Sequence, residues 1–196
     1  MDNKKRIENV QPLRTNKEIQ EMILAIRRGN GSYPKNKKIA ERDILMFLVG
    51  INTGLRISDI LKLKVKYVKE KDNFMIKEGK AKKKRVVNIS MLRKEIDDYV
   101  KDKADHEYLF KSQRGDRPIS TVQAYRILQQ AGDYLGRDDI GTHTMRKTFG
   151  FHHYQRFKDV AILQEIFNHH APSITMRYIG IRQDEINQTL DNFRLG

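Results

Sequence analysis

Apolar residues recur along this chain at two periods, and the change between them divides it. From Thr15 the spacing is helical: Thr15-Asn16-Lys17-Glu18 reads as an N-cap with its acidic partner three residues on, and Ile19, Met22, Ile23 and Ile26 then share one face. Residues 29–34 break that helix. A second helix, roughly 37–52, carries Ile44, Leu45, Phe47, Leu48 and Ile51, an apolar load broad enough for deep burial. Gly54 permits a tight corner into a short helix over 57–61. Between residues 66 and 90 the apolar pieces shorten to Tyr67-Val68, Phe74-Met75-Ile76 and Val86-Val87-Asn88-Ile89, separated by charged connectors, and predict a small antiparallel sheet of three strands. Helical spacing returns over 91–101, 120–135, 143–157 and 160–167, in a short piece at 174–178, and in a tail helix near 184–193. The expected class is α+β, mainly α: helices around a small sheet, one domain over 15–196, and a lead-in arm over 1–14 that shows no periodicity.

Length agrees with that division, since 196 residues suit one core and two domains would each be unusually small. Only 38% of residues are hydrophobic and mean hydropathy is −0.71, but the apolar positions are clustered rather than diluted, so the chain should fold. Charge changes the picture more. Lys and Arg number 39 against 25 acidic residues, a formal charge of +14 with a pI near 9.9. Cations set against phosphates release condensed counterions and bind without reading sequence, so a polyanion is the expected partner. Nucleic acid comes first, with a purely structural RNA-binding role as the plain reading of charge alone. A membrane surface is disfavoured because no basic amphipathic helix carries a bulky aromatic face. The absence of cysteine excludes disulfides and thiolate metal sites. The longest apolar run, 44–51, falls far short of the roughly 20 residues that cross a bilayer. The first residues lack an apolar signal core, which points to a cytoplasmic protein.

Several residues then stand out for their chemistry. His143 and Arg146 lie three apart at a helix start, where Thr142 is a candidate cap, and can reach one ligand at an end that favours phosphate. Arg56 follows the glycine corner in an apolar stretch, where a guanidinium needs a partner; Asp59, three residues on, can satisfy or orient it while other donors grip a phosphate. Between 77 and 85 lies a cationic hairpin tip in which Lys80 directly follows Gly79 and Lys82, Lys83 and Lys84 read as a solvated surface that tracks DNA. His169 and His170 invite a metal site with His152 and His153, but helical neighbours point about a hundred degrees apart, so no metal is expected. Asp97-Asp98 and Asp138-Asp139 diverge in the same way and do not form the clustered carboxylates of a metal-dependent nuclease. Tyr178 is singled out by Arg177 beside it, the break at Pro172 that separates it from His169, and the polar tail that follows.

Taken together these motifs resemble the catalytic domain of the tyrosine recombinase (phage integrase) family. Thr53-Gly54-Leu55-Arg56-Ile57-Ser58-Asp59-Ile60-Leu61 resembles its first-arginine box. The run from Gly79 and Lys80 to Arg85 and Ile89 resembles its lysine hairpin, and His143-Thr144-Met145-Arg146 its His-x-x-Arg box. Phe167-Asn168-His169 stands where the family usually has Leu-Gly-His, and Tyr178 falls nine residues after that histidine, the usual spacing. His170 departs from the small residue common there. The resemblance implies catalytic roles for Arg56, Lys80, His143, Arg146, His169 and Tyr178, support from Asp59, and DNA contacts from Lys82, Lys83, Lys84, Arg85 and Arg177. It implies cleavage and rejoining of double-stranded DNA through a 3′-phosphotyrosyl link without metal, ATP or other cofactor. A homotetramer assembled on DNA through the C-terminal tail, DNA-bending helper proteins and a nucleoid-associated location are further expectations. Most family members begin with a separate helical DNA-clamping domain for which 1–14 leaves no room, so the chain is expected to be either a short form similar to fimbrial-type DNA invertases or an excised catalytic domain. A type IB topoisomerase, which uses nearly the same residues to relax DNA, and a non-catalytic DNA-binding module are the rival readings.

Overall fold

A computed structural model describes residues 10–29, 36–77, 84–181, 187, 188, 190, 191, 193 and 194. Helix α1 (Asn16–Arg28) opens as its sequence requires: the Thr15 hydroxyl accepts from the Glu18 amide at 3.1 Å, and Glu18 accepts from the Thr15 amide at 2.9 Å. Met22, Ala25 and Ile26 form its buried stripe. Helix α2 (Lys37–Thr53) is the central element, burying Leu45, Met46, Phe47 and Val49 and packing against α1 and the later helix over Thr142–Phe157. Each large side chain so buried contributes about 1.5–3 kcal/mol. It ends at Gly54 in the left-handed conformation (φ 63°), after which Arg56, in extended conformation, immediately precedes the single turn α3 (Ile57–Ile60). Strands β1 (Asn73–Lys77) and β2 (Lys84–Asn88) pair antiparallel with Phe74 opposite Val87 facing the core, while Met75 and Val86 face out. Helices α4 (Arg93–Val100), α5 (Thr121–Tyr134), α6 (Thr142–Phe157), α7 (Val160–Phe167) and α8 (Pro172–Ile179) complete the order.

One expectation is corrected here. Among the described residues the sheet has two strands, not three: Tyr67-Val68 lies in and just after a 3₁₀ turn at Val65–Tyr67, with the Val68 amide donating to the Val65 carbonyl at 3.0 Å. Val65 and Val68 are both buried, a spacing of three that fits a turn and not a strand. The described end of the lead-in arm is held against residues 147 and 148. The Leu13 amide donates to Thr148 Oγ1 at 2.9 Å, Lys147 Nζ donates to the Val10 carbonyl at 2.7 Å, and the Leu13 side chain is fully buried. Of the expected tail helix, residues 187, 188, 190 and 191 are described, all helical and exposed. No described helix is long and apolar enough to cross a membrane.

The apolar interior is in two parts. The larger joins α1 to α6 and the sheet; a smaller one gathers Phe151, Leu163, Phe167, Ile179 and Ile181 where α6, α7 and α8 meet. The second cluster positions the C-terminal motifs.

Candidate active site

Arg146 is the hub. It projects from α6 and is only 3% exposed, so its charge must be met by fixed dipoles. Nη1 donates to the Gly54 carbonyl and Nη2 to the Phe167 carbonyl at 2.9 Å, while the guanidinium lies 4.3 Å from the centre of the Phe167 ring. One planar fork thus ties the end of α2 to the end of α7. Gly54 is suited to its place twice over: its φ is positive, and a Cβ there would come within 2.5 Å of the Phe149 ring. Arg56, two residues on, is near enough that its charge acts on both His169 and Tyr178.

Helix α7 begins on the Asp159 carboxylate, which accepts from the Ile162 amide at 3.0 Å, and ends at Asn168 in the left-handed conformation (φ 51°, ψ 51°). That explains the departure from glycine, since asparagine is among the few other residues that tolerate this region. The reversed backbone delivers His169 into the pocket, where Nδ1 lies 3.0 Å from Thr175 Oγ1. Pro172 then starts α8, preset for the first turn. Tyr178 in the last turn of α8 brings its hydroxyl to 3.0 Å from His143 Nδ1. Its ring stands edge-on to those of His169 and Phe167, at 5.3 and 5.6 Å between centres.

The pocket perturbs both groups. Burial pushes the Tyr178 phenol up to about 12, against the opposing pull of the Arg146 and Arg56 charges and a hydrogen bond from Arg146. His169 is pushed down to about 4, first by burial and then by Arg146, Arg56 and His170, so it is neutral at pH 7. The arrangement combines a buried hydroxyl, a contacting imidazole and fixed cations, the parts needed to stabilise charge on a phosphoryl group while an oxygen attacks it.

Of the residues singled out in the sequence, Arg56, His143, Arg146, His169 and Tyr178 converge here. Asp59 is buried on α3, with one oxygen 3.6 Å from Lys62 Nζ. Lys84 is exposed on β2; Arg85 reaches from the same strand to the Thr53 carbonyl at 3.4 Å, and Arg177 is exposed on α8. Lys80, Lys82 and Lys83 lie outside the described residues. Thr142 is not the cap of α6: it is the first helical residue, and the Thr144 hydroxyl instead accepts from the Gly141 amide at 3.1 Å. His152 and His153 are employed elsewhere, the first 3.0 Å from the Leu13 carbonyl and the second against Phe149 and Phe157. Sequence reasoning missed Lys147 and Thr175. Lys147, 6% exposed, sets its ammonium 5.3 Å from the centre of the Tyr178 ring, which nothing local in the sequence announces. Thr175 had a signal, since it lies one turn before Tyr178 on the same helical face.

The phage integrase family pattern matches residues 13–185. The probable integrase/recombinase YoeC of Bacillus subtilis (strain 168) is 52% identical over 176 residues, covering 89% of this chain and 92% of that protein. Tyrosine recombinase XerA of Pyrococcus horikoshii is 30% identical over 79% of this chain, which spans 55% of its length. Among solved structures, the post-cleavage complex of the XerH site-specific recombinase with its palindromic difH substrate aligns with a TM-score of 0.69 at 20% identity, over 93% of this chain and 53% of that one. The catalytic domain of bacteriophage HP1 integrase aligns at 0.54 and 20% identity, over 93% and 95%. These structural likenesses concern the fold.

Proposed function

This chain belongs to the phage integrase family, and from that premise we propose that it is a site-specific DNA recombinase whose nucleophile is Tyr178. The observation that carries the assignment is the 3.0 Å contact between the Tyr178 hydroxyl and His143 Nδ1 in a pocket that also holds Arg146. In the proposed reaction the Tyr178 oxygen attacks the scissile phosphorus and its proton passes to His143. The bond from phosphorus to the 5′-oxygen breaks, giving a 3′-phosphotyrosyl link and an oxygen that Lys80 protonates to a 5′-hydroxyl. Arg56 and Arg146 stabilise the non-bridging oxygens, with Asp59 supporting Arg56, and His169 donates a further hydrogen bond to the same group. The covalent link conserves the bond energy, so a 5′-hydroxyl from a second strand reverses the step without ATP. No step calls on a metal.

Arg85 and Arg177, with Lys84 and the hairpin Lys82 and Lys83, contact DNA backbone in this reading. Assembly as a homotetramer on DNA through the tail, with bending proteins assisting, belongs to the same proposal. Its support is that the tail residues Leu190 and Phe193 are exposed large apolar side chains, 59% and 64%. The test is incubation with nicked candidate-site DNA in EDTA followed by a denaturing gel. Wild type should form a protein–DNA adduct and Tyr178→Phe none, with DNA binding retained; an adduct that survives the substitution refutes the assignment.

A further inference from the structure

Thr175 and Tyr178 share one face of α8, and Thr175 is fully buried, at 0% exposure, with Oγ1 3.0 Å from His169 Nδ1. Burial decides which way that hydrogen bond runs. The hydroxyl has one proton to give. If Nδ1 carried hydrogen and donated, the Thr175 proton would need a second acceptor away from water, yet this hydroxyl makes no other hydrogen bond among the described residues. An orphaned buried donor is strongly unfavourable. If instead the hydroxyl donates to the Nδ1 lone pair, both partners of the contact are satisfied and the imidazole hydrogen must sit on Nε2.

We propose that Thr175 is a positioning residue: its hydroxyl donates to Nδ1 of His169, holds the neutral imidazole as the Nε2–H tautomer, and so arms it as a hydrogen-bond donor to the substrate phosphate. The proposal rests on the recombinase reading, which gives His169 that phosphate. Neutrality makes the device necessary. An imidazolium donates from both nitrogens and needs no selection, whereas burial and the charges of Arg146 and Arg56 keep this ring neutral at pH 7 with a single hydrogen to offer. The same helix carries the nucleophile and the group that sets its phosphate donor. Both are therefore in place when α8 is seated, and both are lost when it is not.

The test joins ¹⁵N NMR of the histidine rings in the full chain with adduct formation on nicked-site DNA in EDTA, for wild type, Thr175→Val and Thr175→Ser. In wild type at neutral pH, His169 should show a bare Nδ1 and a protonated Nε2. Thr175→Val, close to isosteric, should lose that preference and slow adduct formation on the order of tenfold to a hundredfold, the scale of loss seen when the hydrogen-bond partner that orients a metal-ligating histidine is removed. DNA affinity should stay unchanged, and Thr175→Ser should rescue both tautomer and rate. A protonated Nδ1 in wild type overturns the proposal, as does a Thr175→Val protein that cleaves at the wild-type rate. Should Thr175→Val lose its thermal transition, the wild-type tautomer and the serine variant decide the matter. A wild-type protein that shows the Nε2–H tautomer but forms no adduct supports the tautomer assignment and counts against the recombinase reading instead.

Discussion

Gly150 on α6 is where α7 and α8 close over the second apolar cluster, and Gly150→Ala tests whether that closure positions the proposed nucleophile, Tyr178. A Cβ there would lie 2.6 Å from Ile179 Cγ2 and 2.8 Å from Cε2 and Cζ of Phe167. Carbon contacts are comfortable at about 3.5–4.0 Å, so the neighbours must retreat by roughly an ångström. Neither yields easily. Ile179 is fully buried, and the Phe167 ring is held among Phe149, Tyr178 and the Arg146 guanidinium. Overpacking of this kind costs about 1–3 kcal/mol, while alanine in a helix recovers about 1 kcal/mol relative to glycine, leaving a net loss of about 0–2 kcal/mol. The larger effect falls on the chemistry. Ile179 adjoins Tyr178 and the Phe167 carbonyl holds Arg146, so the retreat is passed directly to the nucleophile and the cation. A displacement of about 1 Å at a reacting group is worth on the order of a hundredfold in rate. Gly150→Ala should therefore unfold only a few degrees below wild type but form the covalent adduct about a hundredfold more slowly in single-turnover reactions. A variant that cleaves at the wild-type rate would show that this contact does not hold α8, and the reasoning would fail.

Arg146→Lys keeps the charge but not the fork that spans the Gly54 and Phe167 carbonyls; it should reduce adduct formation by about 10²–10³ and stability by about 1–3 kcal/mol, measured by single-turnover cleavage and urea denaturation. Wild-type kinetics in that variant would make the guanidinium geometry irrelevant. The depressed His169 predicts an acid limb of stability. The unfolded ring takes up a proton near pH 6.5 and the folded ring only near 4, so the contribution is full above 6.5 and is lost as pH falls towards 4. Allowing for solvent screening of a partly exposed ring, the decline should be about 1–2 kcal/mol and absent in His169→Gln; an unchanged slope in that variant assigns the limb to other groups.

Legibility in the sequence followed how local the cause was. Helix α7 matches the 160–167 expected from its spacing, and the structure shows both ends fixed locally, by the Asp159 cap and by an asparagine that takes the left-handed turn. The capping box at Thr15 and the left-handed Gly54 worked for the same reason. The expected third strand is a turn instead: Tyr67-Val68 is too short to show a period, and the Val65 to Val68 spacing of three is that of a turn. The arm at 10–14 carried no pattern because partners 135 to 139 residues away hold it. At the site, spacing located Arg56, His143, Arg146, His169 and Tyr178. The sequence did not show what fixes them: two backbone carbonyls on Arg146, the arm carbonyl that restrains Lys147, and the hydroxyl behind His169. The carbonyl contacts belong to packing between elements and leave no periodic trace, whereas the hydroxyl, that of Thr175, is signalled only by lying one turn before Tyr178 on the same face.

With Tyr178 as the proposed nucleophile, the electrostatics of this pocket constrain when its proton can leave. Burial already raises the phenol to about 12, and Arg146 and Arg56 only partly offset it. A phosphodiester entering between those cations brings a negative charge that weakens their pull on the phenol, so the tyrosine becomes less acidic at the moment it must attack. A phenolate therefore does not accumulate in waiting. The proton must depart as the bond to phosphorus forms, to an acceptor already within reach, and His143 Nδ1 at 3.0 Å satisfies that geometry. Reversal imposes the matching demand: the departing phenolic oxygen must regain a proton, and the same imidazole stands where it can return one. In the proposed reaction the resting protein thus holds a weak nucleophile that reacts only against a phosphate seated in the cation cluster.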